Sequence, residues 1–309
     1  SPSAFMKKKM IYILTLTFLI SILIPITVSA DMGPKPSVRI AFKGLGNEIC
    51  YGTLLSKTES TGPAFAWDGT EENALYNKND GYTDHFPEYD IWKAFIDYQD
   101  SDGYHFLQTV WRIDQTKELA WTYYPPSEFK ILLYFPESNV YAVSSIYNRY
   151  AFDSYFTVNM EDYLKQNEDL NGNIYIKAYQ SYHYTEEVIS LSVRIVSTIL
   201  IEIGIALIFG YRTKKQILFI TGINTATQIF LNVLLNVVNY KNGYLAFIAA
   251  YFVLELIVFV SEAIVYSLLL NKLSERKHKK WLAAVYALVA NTASFVAGFA
   301  LAVMIPGIF

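Results

Sequence analysis

Residues 188–210 read VISLSVRIVSTILIEIGIALIFG, a run in which only Arg194 and Glu202 carry charge. At about 1.5 Å per residue, a helix of this length spans the roughly 30 Å hydrocarbon core of a bilayer. Runs of the same capacity follow at 217–238, 244–270 and 281–304. Short turns join them and make neighbouring helices antiparallel, so the second half of the chain is expected to form a compact four-helix transmembrane bundle.

The rest of the chain has a different character. Between residues 31 and 185 stand 12 Lys and Arg against 22 Asp and Glu, leaving 13 and 6 elsewhere. The net charge of -3 over 309 residues is therefore a cancellation between an acidic domain and a basic, apolar remainder. Charged residues make up 17% of the chain, below the roughly 25% usual for soluble domains. Length alone predicts about two domains. No basic stripe exists outside the edges of the apolar runs, so nucleic acid is not an expected partner. The one cysteine, Cys50, excludes an intrachain disulfide framework and a four-cysteine zinc site.

Ser1 to Phe5 precede a Met and read as an upstream remnant. Lys7, Lys8 and Lys9, the apolar stretch Met10 to Ile24, and Val28-Ser29-Ala30 follow the order of a secretory signal peptide, giving a segment 1–30 with cleavage after Ala30. An uncleaved anchor is the alternative, since Met10 to Val28 approaches spanning length. No cysteine stands at the cleavage point, which argues against a lipoprotein. The turns 211–216 and 271–280 hold nearly all the basic residues beside the apolar runs, whereas 239–243 has only Lys241. Under the positive-inside rule the two basic turns are cytoplasmic, and the N-terminal domain and the C-terminus are extracytoplasmic. A multi-pass protein of the cell membrane is expected.

Residues 31–186 read as strand-rich. Val38, Ile40 and Phe42 alternate with Arg39, Ala41 and Lys43, and Ile174, Ile176 and Ala178 alternate with Tyr175, Lys177 and Tyr179. Further runs lie at Tyr51 to Leu55, Tyr104 to Ile113, Leu119 to Tyr124, Phe129 to Phe135 and Val140 to Ser144, punctuated by Gly, Pro, Asn and Asp. This spacing predicts a sandwich or barrel. One helix is expected from Pro87, with Ile91, Phe95 and Tyr98 on one face, ending near Asp100 to Gly103. The whole is α+β: an exported β-rich domain followed by a membrane domain over 187–305.

Within the membrane runs, Glu202, Asn224, Glu262 and Asn291 each fall about 10 to 15 Å from the cytoplasmic ends, one from each helix. Gln228 and Asn232 extend the stripe on the second helix, and Glu255 precedes Glu262 by seven residues, on nearly the same face. A carboxylate at such depth is costly and belongs in the bundle interior. Two readings follow: the cluster binds a proton or hard cation through oxygen ligands, or it fixes helix packing by interhelical hydrogen bonds.

Catalytic templates are absent. No HExxH or GxSxG occurs, and His85, His105, His183 and His278 all lie outside the apolar runs. Asp97, Asp100 and Asp102 before Gly103, and Asp169, Asn171 and Asn173 around Gly172, resemble fragments of calcium loops, but neither has the full ligand pattern, and turn chemistry explains both. No cofactor or metal is expected. Aromatic residues crowd the acidic domain, where Trp67, Trp92 and Trp111 read as core or surface. Trp121, Tyr123, Tyr124, Pro125 and Pro126 form its most surface-like segment, a candidate recognition surface, because two prolines cannot continue a central strand.

The segments Asp31-Met32-Gly33-Pro34-Lys35-Pro36-Ser37, Tyr51-Gly52-Thr53-Leu54-Leu55-Ser56 and Tyr123-Tyr124-Pro125-Pro126, with the membrane residues Asn224, Gln228, Asn232, Glu255, Glu262, Asn291 and Ser294, carry a resemblance. The chain resembles an uncharacterised family of bacterial membrane proteins of the Gram-positive type, with a signal peptide, an exported domain and four C-terminal spans. The resemblance implies topology and no activity. The expected function is that of a non-enzymatic envelope protein, whose exported domain binds a ligand or a membrane or envelope partner protein and is anchored in the lipid bilayer. The alternative is a small proton- or cation-coupled transporter or channel subunit.

Overall fold

A computed structural model describes residues 33–76, 78, 85–164, 174–273 and 279–304. The expected signal peptide, the turn around Gly172, half of the second basic turn and the last five residues lie outside the described residues. The described chain divides into two compact units, one of Lys35–Tyr184 with Asn239–Gly243, the other of Thr185–Val238 and the described residues from Tyr244 onward.

The first unit contains strands β1 (Ser37–Lys43), β2 (Tyr51–Ser56), β3 (Ser60–Thr61), β4 (Ala64–Phe65), β5 (His105–Phe106), β6 (Trp111–Arg112), β7 (Glu118–Trp121), β8 (Glu128–Phe135), β9 (Val140–Ser144), β10 (Tyr147–Asn148), β11 (Asp153–Asn159), β12 (Ile174–Ile176) and β13 (Ala178–Gln180). Four of them form a sheet in the order β13-β11-β1-β7. A larger sheet runs β12-β9-β8-β2-β5, with β10 beside β8 and β6 beside β2, and β3 pairs with β4. Both large sheets are mixed: β1 runs parallel to β11, and β12 parallel to β9. The sheets face one another across one core, to which Val38, Ile40, Phe42, Phe156 and Val158 contribute from one side and Leu54, Phe129, Ile131, Leu133 and Phe135 from the other. Of the two architectures expected, the layered one is present and the closed barrel is not.

Strand β8 explains the third layer. Its odd positions fill the core between the sheets, while Leu132 and Tyr134 turn the other way and meet Trp92 and Phe95 of helix α1 (Tyr89–Asp97). A strand buried on both faces loses polar alternation, as the sequence FKILLYF shows. Lys130 is the exception on that face. Its ammonium contacts Asp100 at 2.7 Å and Asp102 at 2.5 Å, so both aspartates are engaged by a lysine, and Asp100 Oδ2 also accepts from the amides of Asp102 and Tyr104. Helix α1 starts after an N-cap at Glu88, leaving Pro87 outside it, and buries Trp92 and Phe95 more deeply than Ile91 or Tyr98.

Two strand expectations need correction. The alternating run Ile174 to Tyr179 is not one strand: β12 belongs to the larger sheet and β13 to the smaller, and the chain passes between them at Lys177. The Lys177 amide donates to the Tyr163 hydroxyl at 3.0 Å, which satisfies the backbone group left between the two ladders. Tyr104 to Ile113 is likewise broken into β5 and β6 by Gln108, whose φ is 57°. Its buried amide receives hydrogen bonds from Trp92 Nε1 and the Leu75 amide, and donates to the carbonyls of Phe65 and Asn73.

The second unit holds four helices long and apolar enough to cross a membrane. They are α2 (Tyr184–Ile208), α3 (Lys214–Asn242), α4 (Tyr244–Leu269) and α5 (Lys280–Met304). Leu218 and Ile208 are 77% and 81% exposed, while Glu202, Asn224 and Glu262 are at most 1% exposed. Apolar side chains outside and polar ones inside are the arrangement that a hydrocarbon solvent selects. The chain is an α+β protein with a helical membrane domain.

Candidate functional site

The buried face of α3 presents Gln216, Ile220, Asn224, Gln228, Leu231, Asn232 and Leu235. Steps of three and four keep these residues on one side of a helix. Glu202 of α2, Glu262 and Tyr266 of α4, and Tyr286 and Asn291 of α5 are buried with them.

Hydrogen bonds join these residues into a circuit through all four helices. Asn224 Nδ2 on α3 donates to Glu202 Oε2 on α2 at 2.5 Å. From one turn further along α3, Thr227 Oγ1 donates to Glu262 Oε1 on α4 at 2.7 Å. The other oxygen of Glu262 accepts from Asn291 Nδ2 on α5 at 2.8 Å. Tyr286, also on α5, closes the ring by donating its hydroxyl to the backbone carbonyl of Glu202 at 3.3 Å. The Tyr266 hydroxyl lies 3.0 Å from Asn224 Nδ2 in the same layer.

The two asparagines share a device. Asn224 Nδ2 also donates to the carbonyl of Ile220 at 3.1 Å, and Asn291 Nδ2 to that of Ala287 at 3.0 Å, each four residues back in its own helix. A carbonyl can only accept, so this contact fixes which end of the amide is nitrogen and directs a donor at the neighbouring carboxyl. Glu202 Oε1 and Asn224 Oδ1, though buried, make no hydrogen bond. They are the acceptors in this layer open to a proton or a cation.

A second polar layer lies along the same helices. Arg194 Nη1 donates to Asn232 Oδ1 at 2.8 Å, and Asn232 Nδ2 donates to the carbonyl of Gln228 at 2.8 Å. Arg194, Thr198, Gln228, Tyr251 and the half-buried Glu255 line a cavity of about 20 Å³, room for about one water molecule. The sequence-predicted residues thus fall into two groups: Glu202, Asn224, Glu262 and Asn291 in the circuit, and Gln228 and Glu255 in the cavity lining, with Asn232 bonded to Arg194 and Gln228 of that lining. Thr227, Tyr266, Tyr286 and Arg194 are the members that sequence reasoning passes over. Tyr266 follows Glu262 by four residues, a spacing that places both on one face.

The candidate recognition segment of the first unit requires correction. Trp121, Pro125 and Pro126 are buried, Tyr124 is half-buried and Tyr123 alone is exposed. Trp121 packs on Trp111 with ring centroids 5.1 Å apart, and its Nε1 donates to the Tyr123 carbonyl at 3.0 Å. Thr61 Oγ1 donates to the Tyr124 carbonyl at 2.8 Å. Strand β7 ends at Trp121, short of the expected run to Tyr124 and before the prolines, and the segment then turns inward because its indole and backbone find partners there. An open groove of about 560 Å³ lies instead on the outer face of the four-stranded sheet. Arg39, Lys43, Glu118, Tyr155, Thr157 and His183 line it, with Arg39 bound to Glu118 at 3.2 Å.

No protein-family model, curated protein or solved structure matches the chain.

Proposed function

We propose that the protein is a non-enzymatic, multi-pass membrane protein of the cell envelope, whose sheet domain is exported and binds a ligand or partner protein. The bundle is its anchor. The hydrogen-bond circuit carries this reading: side chains tie each helix to the next and the last to the first. Carriers that alternate between two accesses move one part of the bundle against another, and a closed circuit opposes that motion. The groove over the four-stranded sheet supplies a face of mixed charge for the partner. Arg212 between α2 and α3, Lys214 and Lys215 in the first turn of α3, and Lys272 and Lys279 between α4 and α5 support cytoplasmic placement of those turns.

A second reading, a proton- or cation-coupled transporter or channel subunit, is favoured by the open acceptors Glu202 Oε1 and Asn224 Oδ1. Proteoliposomes separate the two. The anchor reading expects no proton or Na⁺ flux above that of empty vesicles, and a discrete cross-linked partner in cells carrying a photoreactive residue at Thr157. Flux that disappears in Glu202→Gln and Glu262→Gln overturns it in favour of the transporter.

A further inference from the structure

A pocket of the first unit takes no part in the sites above. Its volume is about 260 Å³, and Pro36, Arg149, Tyr150, Ala151, Phe152 and Lys241 line it. Lys241 stands in the last turn of α3, at the end of a membrane-capable helix, and belongs to the same compact unit as the other five. The pocket wall is closely built. The Phe152 amide donates to the Tyr240 carbonyl at 2.8 Å, and the Tyr240 ring lies 6.3 Å from Tyr150 and 5.3 Å from Tyr182. Gly243 has φ of +81°, and a Cβ there would stand 2.5 Å from the Phe152 ring, so only glycine lets the chain pass this close.

Both ionisable side chains in the lining other than Tyr150 are cations, and no carboxylate lines the pocket. Arg149 is half-buried, and its Nε is buried without a hydrogen-bond partner. Burial holds its guanidinium below the ordinary arginine value, with Asp153 opposing that shift. Asp153 is the acid whose charge reaches Arg149, and its Oδ1 already accepts from Ser37 Oγ at 2.5 Å. Arginine stays charged near neutrality, and a guanidinium in the wall of a pocket that no carboxylate lines is matched by a planar or tetrahedral oxyanion. A lysine near a helix C-terminus is favoured by the macrodipole in any case, so Arg149 carries the greater weight. The level of the pocket selects among oxyanions: tyrosines clustered at the end of an apolar helix mark the headgroup region of a bilayer.

We propose that this pocket binds the phosphate of an anionic phospholipid headgroup, with Arg149 and Lys241 as its cationic ligands. The proposal rests on α3 lying in a bilayer, which flotation of the full chain with vesicles checks separately. The test titrates the full chain in detergent with phosphatidylglycerol, phosphatidylcholine and inorganic phosphate, counting bound molecules by native mass spectrometry. Retention of phosphatidylglycerol over phosphatidylcholine is expected, weakened about fivefold in Arg149→Gln and in Lys241→Gln and kept in Arg149→Lys. The exposed Lys241 makes its variant safe for folding. Unchanged retention in both glutamine variants overturns the proposal. Binding of inorganic phosphate without preference for the lipid overturns it in favour of a free-phosphate site.

Discussion

Asn291 of α5 donates one amide hydrogen bond to its own helix, at the Ala287 carbonyl, and another across the bundle to Glu262 Oε2 at 2.8 Å. The first bond orients the amide, and the second makes use of that orientation. Asn224 repeats the relationship with Ile220 and Glu202. Two of the four helices thus hold a carboxyl group, and the other two hold the amide that serves it.

Replacing Asn291 by Leu leaves Glu262 Oε2 without its donor in a site that water does not reach. The bundle is expected to lose about 1 kcal/mol, the scale of single interhelical hydrogen bonds in membranes. Reversible unfolding in mixed detergent and lipid micelles measures it. The double variant Asn291→Leu with Glu262→Leu should lose less than the two single losses combined, because neither partner is then left unpaired.

Lys130 and Asp100 are 5% and 2% exposed in their side chains, a buried ion pair between β8 and the turn that follows α1. Lys130→Met removes the cation and strands a buried carboxylate, and an expected loss of about 3 to 5 kcal/mol should appear in denaturant unfolding followed by tryptophan fluorescence.

The same pair sets a pH dependence. Burial by itself would raise the Asp100 carboxyl, but bonds from Lys130 and from the amides of Tyr104 and Asp102 outweigh it and hold the group below its ordinary value. A carboxyl depressed on folding adds stability above its unfolded pKa of about 3.9 and loses it as the pH falls through the lower, folded value. Wild-type denaturation midpoints should therefore drop below about pH 4, and the drop should be smaller in Asp100→Asn.

Gly62 has φ of +51°, and a Cβ built there would lie 2.5 Å from Tyr124 Cβ. Gly62→Ala meets both the left-handed backbone penalty, about 1 kcal/mol or more, and that contact. The expected result is a lower melting temperature with increased exposure of Tyr124, read by hydrogen exchange across 121–126. A variant as stable as wild type would show that this segment is not held as described.

Cys50 is wholly buried, and burial pushes its thiol above the ordinary range, with Asp114 and Glu48 adding to the shift. Reaction with a maleimide at pH 8 is expected only after unfolding. The single cysteine therefore reports the opening of the sheet domain without any substitution.

The apolar runs, the charge split between the two parts of the chain and the placement of one carboxyl or amide in each membrane run are all readable from residue order. Hydrophobic length and helical periodicity are local properties, and no partner is needed to see them. Strand β11 is another matter: Ser154, Phe156 and Val158 do alternate with polar neighbours, but a run holding two apolar side chains on its buried side is too weak a signal to stand out. The division of Ile174 to Gln180 between two sheets is invisible to periodicity, since both strands bury the same parity of residue. The inward turn of Trp121 to Pro126 depends on Thr61 and Gly62, some sixty residues away in the chain. Residue order likewise shows Glu202, Asn224, Glu262 and Asn291 sharing a depth, but not which amide serves which carboxyl. That choice depends on how each helix is rotated about its axis, which packing with the other three sets, and a hydrogen bond, unlike burial, is lost within about 1 Å of misplacement.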